Sequence, residues 1–304
     1  MINKMTKISH LILSGGGAHG CIYLGVFRYL YLEHLHKNIT HISCCSIGSL
    51  AAILFSFKLS IEEMEDIIYK LFEVEKLCLI PRCNYILLFT NLGLTKTEHI
   101  TRHTIQYLQK KYPEYDVENM TFMDISKRFG INLYISTTNL CTCSNQIFSI
   151  DDTPNENIFR ACEASMAIPF LFTPVKIGEQ YFIDGGFTNN FPSYLFDNVP
   201  NEYKYGVALN CKNFNNDEVQ EDKLTFFYLL KQFMTIVKKM IKTETFFKYL
   251  NNPFTVIFTK IESKHFKYEF HKNGVKIFNT SVEDINKMIV LGFHETSKYF
   301  HNKK

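Results

Sequence analysis

The chain has no tryptophan, and neither sign of charge dominates: 33 Lys and Arg stand against 30 Asp and Glu, a formal net charge of +3 over 304 residues. So small a surplus leaves no basic footprint for nucleic acid. With 8 proline and 14 glycine residues, the chain is neither collagen-like nor low in complexity. Residues Met1 to Lys7 lack the apolar core of a secretory signal. Of the nine cysteines, Cys44 and Cys45 are adjacent, and Cys21 and Cys162 sit in apolar segments. This usage reads as a cytoplasmic protein with free thiols, not as a disulfide framework. No transmembrane segment is expected either. The charge-free stretch from Asn38 to Phe57 comes nearest, but it carries Asn38, Thr40, His41, Ser43, Ser46 and Ser49. A buried strand followed by a buried helix suits it better than a membrane span.

What is present is ring area and apolar bulk. There are 28 Phe and 17 Tyr, and 46% of residues are hydrophobic, ample for a core and useful for holding acyl chains. Strand-like and helix-like segments alternate. His10 to Leu13, Thr40 to Cys45, Ile131 to Ser136, Gln146 to Ile150, Tyr181 to Ile183 and Tyr205 to Leu209 read as strands. Helices are expected over 21–34, 46–57, from Ser60 to about Phe72, over 97–111 and over 121–129. Ser60 with Glu63, and Thr121 with Asp124, have capping-box spacing, and Gly130 is a stop. Thr153-Pro154 is expected to open a further helix with Pro at its first position.

Beyond a polar loop, Lys212 to Lys223, a long helix is expected over 224–248. Its lysines form either a solvated edge or a contact with anionic lipid heads. A strand from Phe254 to Thr259 and a helix from Ser281 to Tyr299 close the chain. The alternation predicts an α/β fold, a three-layer α/β/α sandwich with a mostly parallel central sheet, in one domain over 1–304.

Sites in such sheets lie beyond the carboxyl ends of the strands. Three polar or glycine-rich corners fall at strand ends. The first is Gly15-Gly16-Gly17-Ala18-His19-Gly20, which formally satisfies a dinucleotide fingerprint. However, the next strand ends in Cys44-Cys45-Ser46, with no carboxylate to hold a ribose. What remains is a run of backbone N–H groups at a helix start, suited to an anion or an oxyanion. The second corner is Cys44-Cys45-Ser46-Ile47-Gly48, a G-x-S-x-G elbow with Cys44 in the first glycine's place. Ser46 is either a nucleophile or an ordinary helix cap. The third is Asp184-Gly185-Gly186, a carboxylate followed by two residues that another backbone can approach closely. A fourth piece, Ala164-Ser165-Met166-Ala167-Ile168-Pro169, is a helix end of small residues that permits tight packing beneath a site.

Together these pieces resemble the patatin-like phospholipase family in order and spacing, strongly from about residue 8 to 211. The resemblance implies a Ser46/Asp184 dyad. Ser46 would attack an acyl ester with Asp184 as base, and the N–H groups of Gly15, Gly16 and Gly17 would hold the oxyanion. Gly20, Gly48, Gly185 and Gly186 match the remaining motif glycines. No metal or cofactor is implied. The implied substrate is a phospholipid or other acyl lipid, met by peripheral contact with a membrane surface.

Two departures stand out: Cys44 for glycine, and His19 for an arginine common in the glycine-rich loop. Other readings of the same residues are a Ser-Asp-His esterase using His265, His271, His294 or His301, and a non-catalytic member that binds lipid or protein. The apolar segment from Leu77 to Leu94 reads as an acyl pocket, a membrane-facing lid or core packing.

Overall fold

The computed structural model describes residues 7–73, 79–81, 90, 92–209, 252–258, 269–271, 274–276 and 280–302. The expected loop at 212–223, the long helix at 224–248, His265 and most of the Leu77 to Leu94 segment lie outside those residues.

A central sheet of eight strands runs in the order β11-β10-β1-β2-β5-β9-β8, with β6 paired to β5. The strands are β1 (His10–Leu13), β2 (His41–Cys45), β5 (Asn132–Asn139), β6 (Ser144–Ser149), β8 (Val175–Ile177), β9 (Gln180–Asp184), β10 (Lys204–Leu209) and β11 (Thr255–Phe258). From β11 to β5 every pairing is parallel, whereas β6, β9 and β8 join antiparallel. Flanking helices are α1 (Ile22–Leu32), α2 (Ile47–Ser56), α3 (Ile61–Glu73), α4 (Glu98–Lys111), α5 (Phe122–Phe129), α6 (Ile158–Met166) and α7 (Val282–His301). A two-stranded ribbon pairs β4 (Gly93–Thr95) with β7 (Phe170–Phe172). A separate three-stranded sheet joins β3 (Leu79–Pro81), β12 (Glu269–His271) and β13 (Gly274–Lys276). The mostly parallel α/β architecture is the expected one.

Strand alternation divides the core between the two faces of the sheet. Leu11, Leu13, Tyr205, Val207 and Leu209 point into one cluster with the apolar sides of α1, α2, α6 and α7. Ile12 and Ala208 point the other way, onto Phe191, Phe196 and Phe254.

Both capping boxes form. Thr121 and Asp124 bond reciprocally at 3.1 Å, as do Ser60 and Glu63 at 2.8 and 3.2 Å, and Gly130 ends α5 at φ 72°. The helix expected from Thr153-Pro154 starts later. The Asn157 side chain accepts from the N–H groups of Phe159 and Arg160, which makes Asn157 the cap and Ile158 the first helical residue. The Pro154 carbonyl instead accepts from Met123 N–H, so 153–156 is a turn tied to α5.

One detail of register builds the site. On β5, β6 pairs with residues 134–139, while β2 covers Asn132 to Ser136 and β9 covers Thr137 to Asn139. A strand has two edges, so β2 and β9 share the second one end to end. Cys45 closes β2 opposite Ser136, and Asp184 closes β9 opposite the next residue, Thr137. The carboxyl ends of β2 and β9 therefore meet head-on.

Candidate active site

Ser46 occupies the turn from β2 into α2 with φ 50° and ψ −128°, a left-handed conformation that a side chain rarely adopts. Such backbone costs about 1–3 kcal/mol and persists only where surroundings enforce it. The surroundings are tight: a Cβ on Gly48 would lie 2.7 Å from Ser14 O and 2.8 Å from Leu13 O. Although Ser46 stands at the N-cap position of α2, its hydroxyl does not cap the helix. It donates to Asp184 Oδ2 at 2.7 Å. The ordinary-cap reading of Ser46 therefore fails, because the oxygen that would accept from the helix N–H groups is turned toward a carboxylate.

Asp184 is buried, and its second oxygen, Oδ1, accepts from Gly186 N–H at 2.7 Å. Its main-chain N–H donates to Ala167 O and its carbonyl accepts from Thr138 Oγ1, each at 2.9 Å. Gly185 presses on β5, where a Cβ would collide with Ser136 O.

The glycine loop lies across the serine. Ser14 Oγ accepts from Leu209 N–H at 2.8 Å, and Tyr23 OH donates to Ser14 O, so the loop is held before it turns. A Cβ on Gly15 would strike Asn190 Oδ1 and come within 2.9 Å of Ser46 Cβ. Gly15 N–H is given to Asn190 O at 3.2 Å. Gly16 and Gly17 N–H groups bond to no described residue. Gly20 lies against the Ile47 side chain. His19, buried, brings Nδ1 to 3.2 Å from Gly16 O, tying the ring to the loop it follows.

Cys44 is fully buried with Sγ 3.5 Å from Tyr134 O, and burial pushes its thiol pKa well up. Burial, then the Asp184 carboxylate, does the same to Cys45. Both are packed neutral thiols.

Of the histidines weighed for a triad, His271 falls on β12 in the separate sheet. His294 and His301 make their bonds within α7, to Glu295 and Ser297. Among the described residues no cluster of His, Cys, Asp and Glu could hold a metal ion. No described helix is long and apolar enough to cross a membrane.

Two positions with a part in this geometry were not singled out from sequence: Asn190, bonded to Gly15, and Ser165, whose Oγ accepts from Ser46 N–H at 2.7 Å. The small-residue run around Ser165 was legible as tight packing, but its hydroxyl carried no signal of direction.

The family model for patatin-like phospholipases matches residues 11–197. The chain belongs to the patatin-like phospholipase family. Protein R571 of Acanthamoeba polyphaga mimivirus is 26% identical over 291 residues, covering 94% of this chain and 95% of that protein. "Probable lipid hydrolase 463L" of Invertebrate iridescent virus 6 is 29% identical over 187 residues, 60% of this chain and 61% of the viral one. VipD from Legionella pneumophila shares the fold at a TM-score of 0.55 and 18% identity, over 97% of this chain and 67% of VipD. Membership of the patatin-like family supports a lipid hydrolase activity in general terms.

Proposed function

We propose that this patatin-like chain is a lipid acyl hydrolase of phospholipase A type that works through Ser46 and Asp184. The observation that carries this reading is the 2.7 Å bond from Ser46 Oγ to Asp184 Oδ2 at a strained strand-to-helix turn. A serine hydroxyl needs a base, and a carboxylate oxygen at that distance can take its proton as the oxygen attacks the ester carbonyl carbon. The oxyanion so formed meets the N–H groups of Gly16 and Gly17. Collapse breaks the carbonyl–alkoxy bond, and the proton on Asp184 goes to the leaving alkoxide. Water then attacks the acyl-serine, Asp184 takes its proton, and returning that proton to Ser46 Oγ releases the fatty acid. No step calls for a metal.

A lipid substrate is met at a surface, and Leu92 and Phe170 suit that contact. They are 60% and 38% exposed, and they flank one ribbon through the Gly93–Phe170 pairing. Both have left-handed backbone, with φ 57° and 67°, which bulky side chains avoid.

The test compares wild type, Ser46→Ala and Asp184→Asn with a fluorophosphonate probe and a phospholipid carrying a labelled acyl chain. Both variants are expected to lose turnover by roughly 10³-fold or more. Labelling that survives Ser46→Ala overturns the nucleophile, and full activity in Asp184→Asn overturns the dyad. A folded wild type that neither labels nor turns over points to a binding protein instead. Leu92→Asn with Phe170→Asn tests the surface contact. Asn tolerates left-handed backbone, so stability holds or rises. Activity on vesicles should fall about tenfold, the factor given by ~1.4 kcal/mol of lost apolar burial. Turnover of a short soluble ester should not change, and equal losses on both substrates count against the contact.

A further inference from the structure

The carboxyl end of α6 touches the main chain of both Ser46 and Asp184. Ser165, wholly buried, accepts from Ser46 N–H at 2.7 Å through Oγ. The same hydroxyl donates to Ser136 O at 2.7 Å. Two residues on, Ala167 O accepts from Asp184 N–H at 2.9 Å. Those two amides belong to the residues whose side chains make the Ser46–Asp184 bond, and they stand on strand ends that approach from opposite directions along β5. The helix end is itself fixed: Ala167 N–H returns to Ala164 O at 3.2 Å, and Ile168 N–H to Met166 O at 2.8 Å.

We propose that this helix end is a clamp that sets the spacing of Ser46 and Asp184, with Ser165 as its positioning residue. This proposal rests on the dyad reading above. Ser165 does not touch the reacting atoms. It acts through the Ser46 amide, which it anchors to the β5 carbonyl against which Gly185 packs. A left-handed turn at Ser46 relaxes unless something holds its amide. A buried hydroxyl that accepts from that amide and donates to a fixed carbonyl supplies the hold, and deleting it leaves an orphan donor and an orphan acceptor. The Ser46 amide is also spent in this bond, so it is not an oxyanion donor. That separates two tasks: Ser165 governs where Oγ stands, and the glycine loop governs where the oxyanion is held. The clamp should therefore serve the chemical steps and not substrate binding.

Kinetics of Ser165→Ala on a soluble p-nitrophenyl ester, together with the rate of covalent labelling by a fluorophosphonate, test the proposal. We expect kcat to fall about 10- to 100-fold, KM to stay within about twofold, and the labelling rate to fall by the same factor as kcat. Ser165→Cys, which keeps the volume and a weaker acceptor, should lie between Ala and wild type, and it carries the test if the alanine variant does not fold. Ser56→Ala is the control. It removes another fully buried hydroxyl, one that bonds only back to Ala52 at the far end of α2, and should leave kcat unchanged. Wild-type kcat in Ser165→Ala, a loss confined to KM, or an equal loss in Ser56→Ala would each overturn the clamp. Loss of the dyad reading looks different, because Ser46→Ala or Asp184→Asn would then remain active.

Discussion

The two ends of the central sheet are built from the same strands and obey different rules. At the carboxyl ends of β2 and β9 the polar groups have fixed partners, glycine lets backbones nearly touch, and Ser46 holds a left-handed turn. At the amino ends of β1 and β2, a few residues away, His10 stacks on His41 with ring centroids 4.5 Å apart, and Phe196 meets His10 edge-on at 4.7 Å. There, ordinary extended strands present rings to one another. Strain and close approach collect at one end, where the fold holds groups in positions that relaxed backbone would not give them. The other end needs only contact.

Two glycine substitutions should break this contrast most strongly. On Gly185, at the carboxyl end, a Cβ would collide with Ser136 O and stand 2.7 Å from Ser136 C, both main-chain atoms. Gly185→Ala is expected to cost about 3 kcal/mol and to abolish activity by displacing Asp184. At the amino end of β5, Gly130 has φ 72° and open space around its missing Cβ. Gly130→Ala should cost only about 1 kcal/mol, the backbone penalty alone, and leave kcat unchanged. Thermal unfolding and ester turnover of the pair check both halves, and equal costs would erase the distinction.

The amino end should show itself through pH. Burial, then the neighbouring His41 and Lys204, holds the His10 pKa down to about 4 from 6.5, and burial lowers that of His41. An unfolded chain takes up a proton at His10 as pH falls through 6.5, while in the folded protein His10 resists until about 4, and His41 shifts in the same direction. Stability contributed by the neutral rings is therefore full above pH 6.5 and is lost between there and about 4. His10→Phe keeps the ring stack and removes one titration, so the fall in Tm across that window should become shallower. An unchanged slope would mean that the pair does not govern acid stability.

Much of this molecule was legible because local signals and the fold agree. The alternation around Leu11, Leu133 and Val207 marked buried strands, and the Thr121–Asp124 spacing marked a cap that forms as expected. Thr153-Pro154 misled because proline also suits a turn, and Asn157 offered the better cap three residues later. At the candidate site, motif order singled out residues that the fold brings together but not the directions of their bonds. Nothing in Gly15-Gly16-Gly17 says that Asn190 takes the first amide, and nothing in Ala164-Ser165 says that the hydroxyl reaches Ser46. The Ser165 bonds join α6 to the end of β2 and to β5, and the Gly15 bond ties the loop after β1 to the segment after β9, so each depends on elements far apart in sequence.

The smallest expected effect concerns Cys44, where the elbow departs from the usual glycine. The side chain lies on β2 before the turn, fully buried, with Sγ 3.5 Å from Tyr134 O and no bond to Ser46 or Asp184. Because burial keeps its thiol protonated, Cys44 offers neither charge nor nucleophile to the reaction. Its contribution is volume and strand stiffness, and Cys44→Gly gives up both, for about 2 kcal/mol of stability. The elbow itself is held elsewhere, by the close approach of Gly48 to Ser14 O and by the Ser165 bond. Those holds survive the substitution, so kcat on a soluble ester should stay within about twofold of wild type at a temperature where both proteins are folded. A rise or fall of tenfold would show that Cys44 bears on the turn directly, and that the strain at Ser46 is shared with the strand before it.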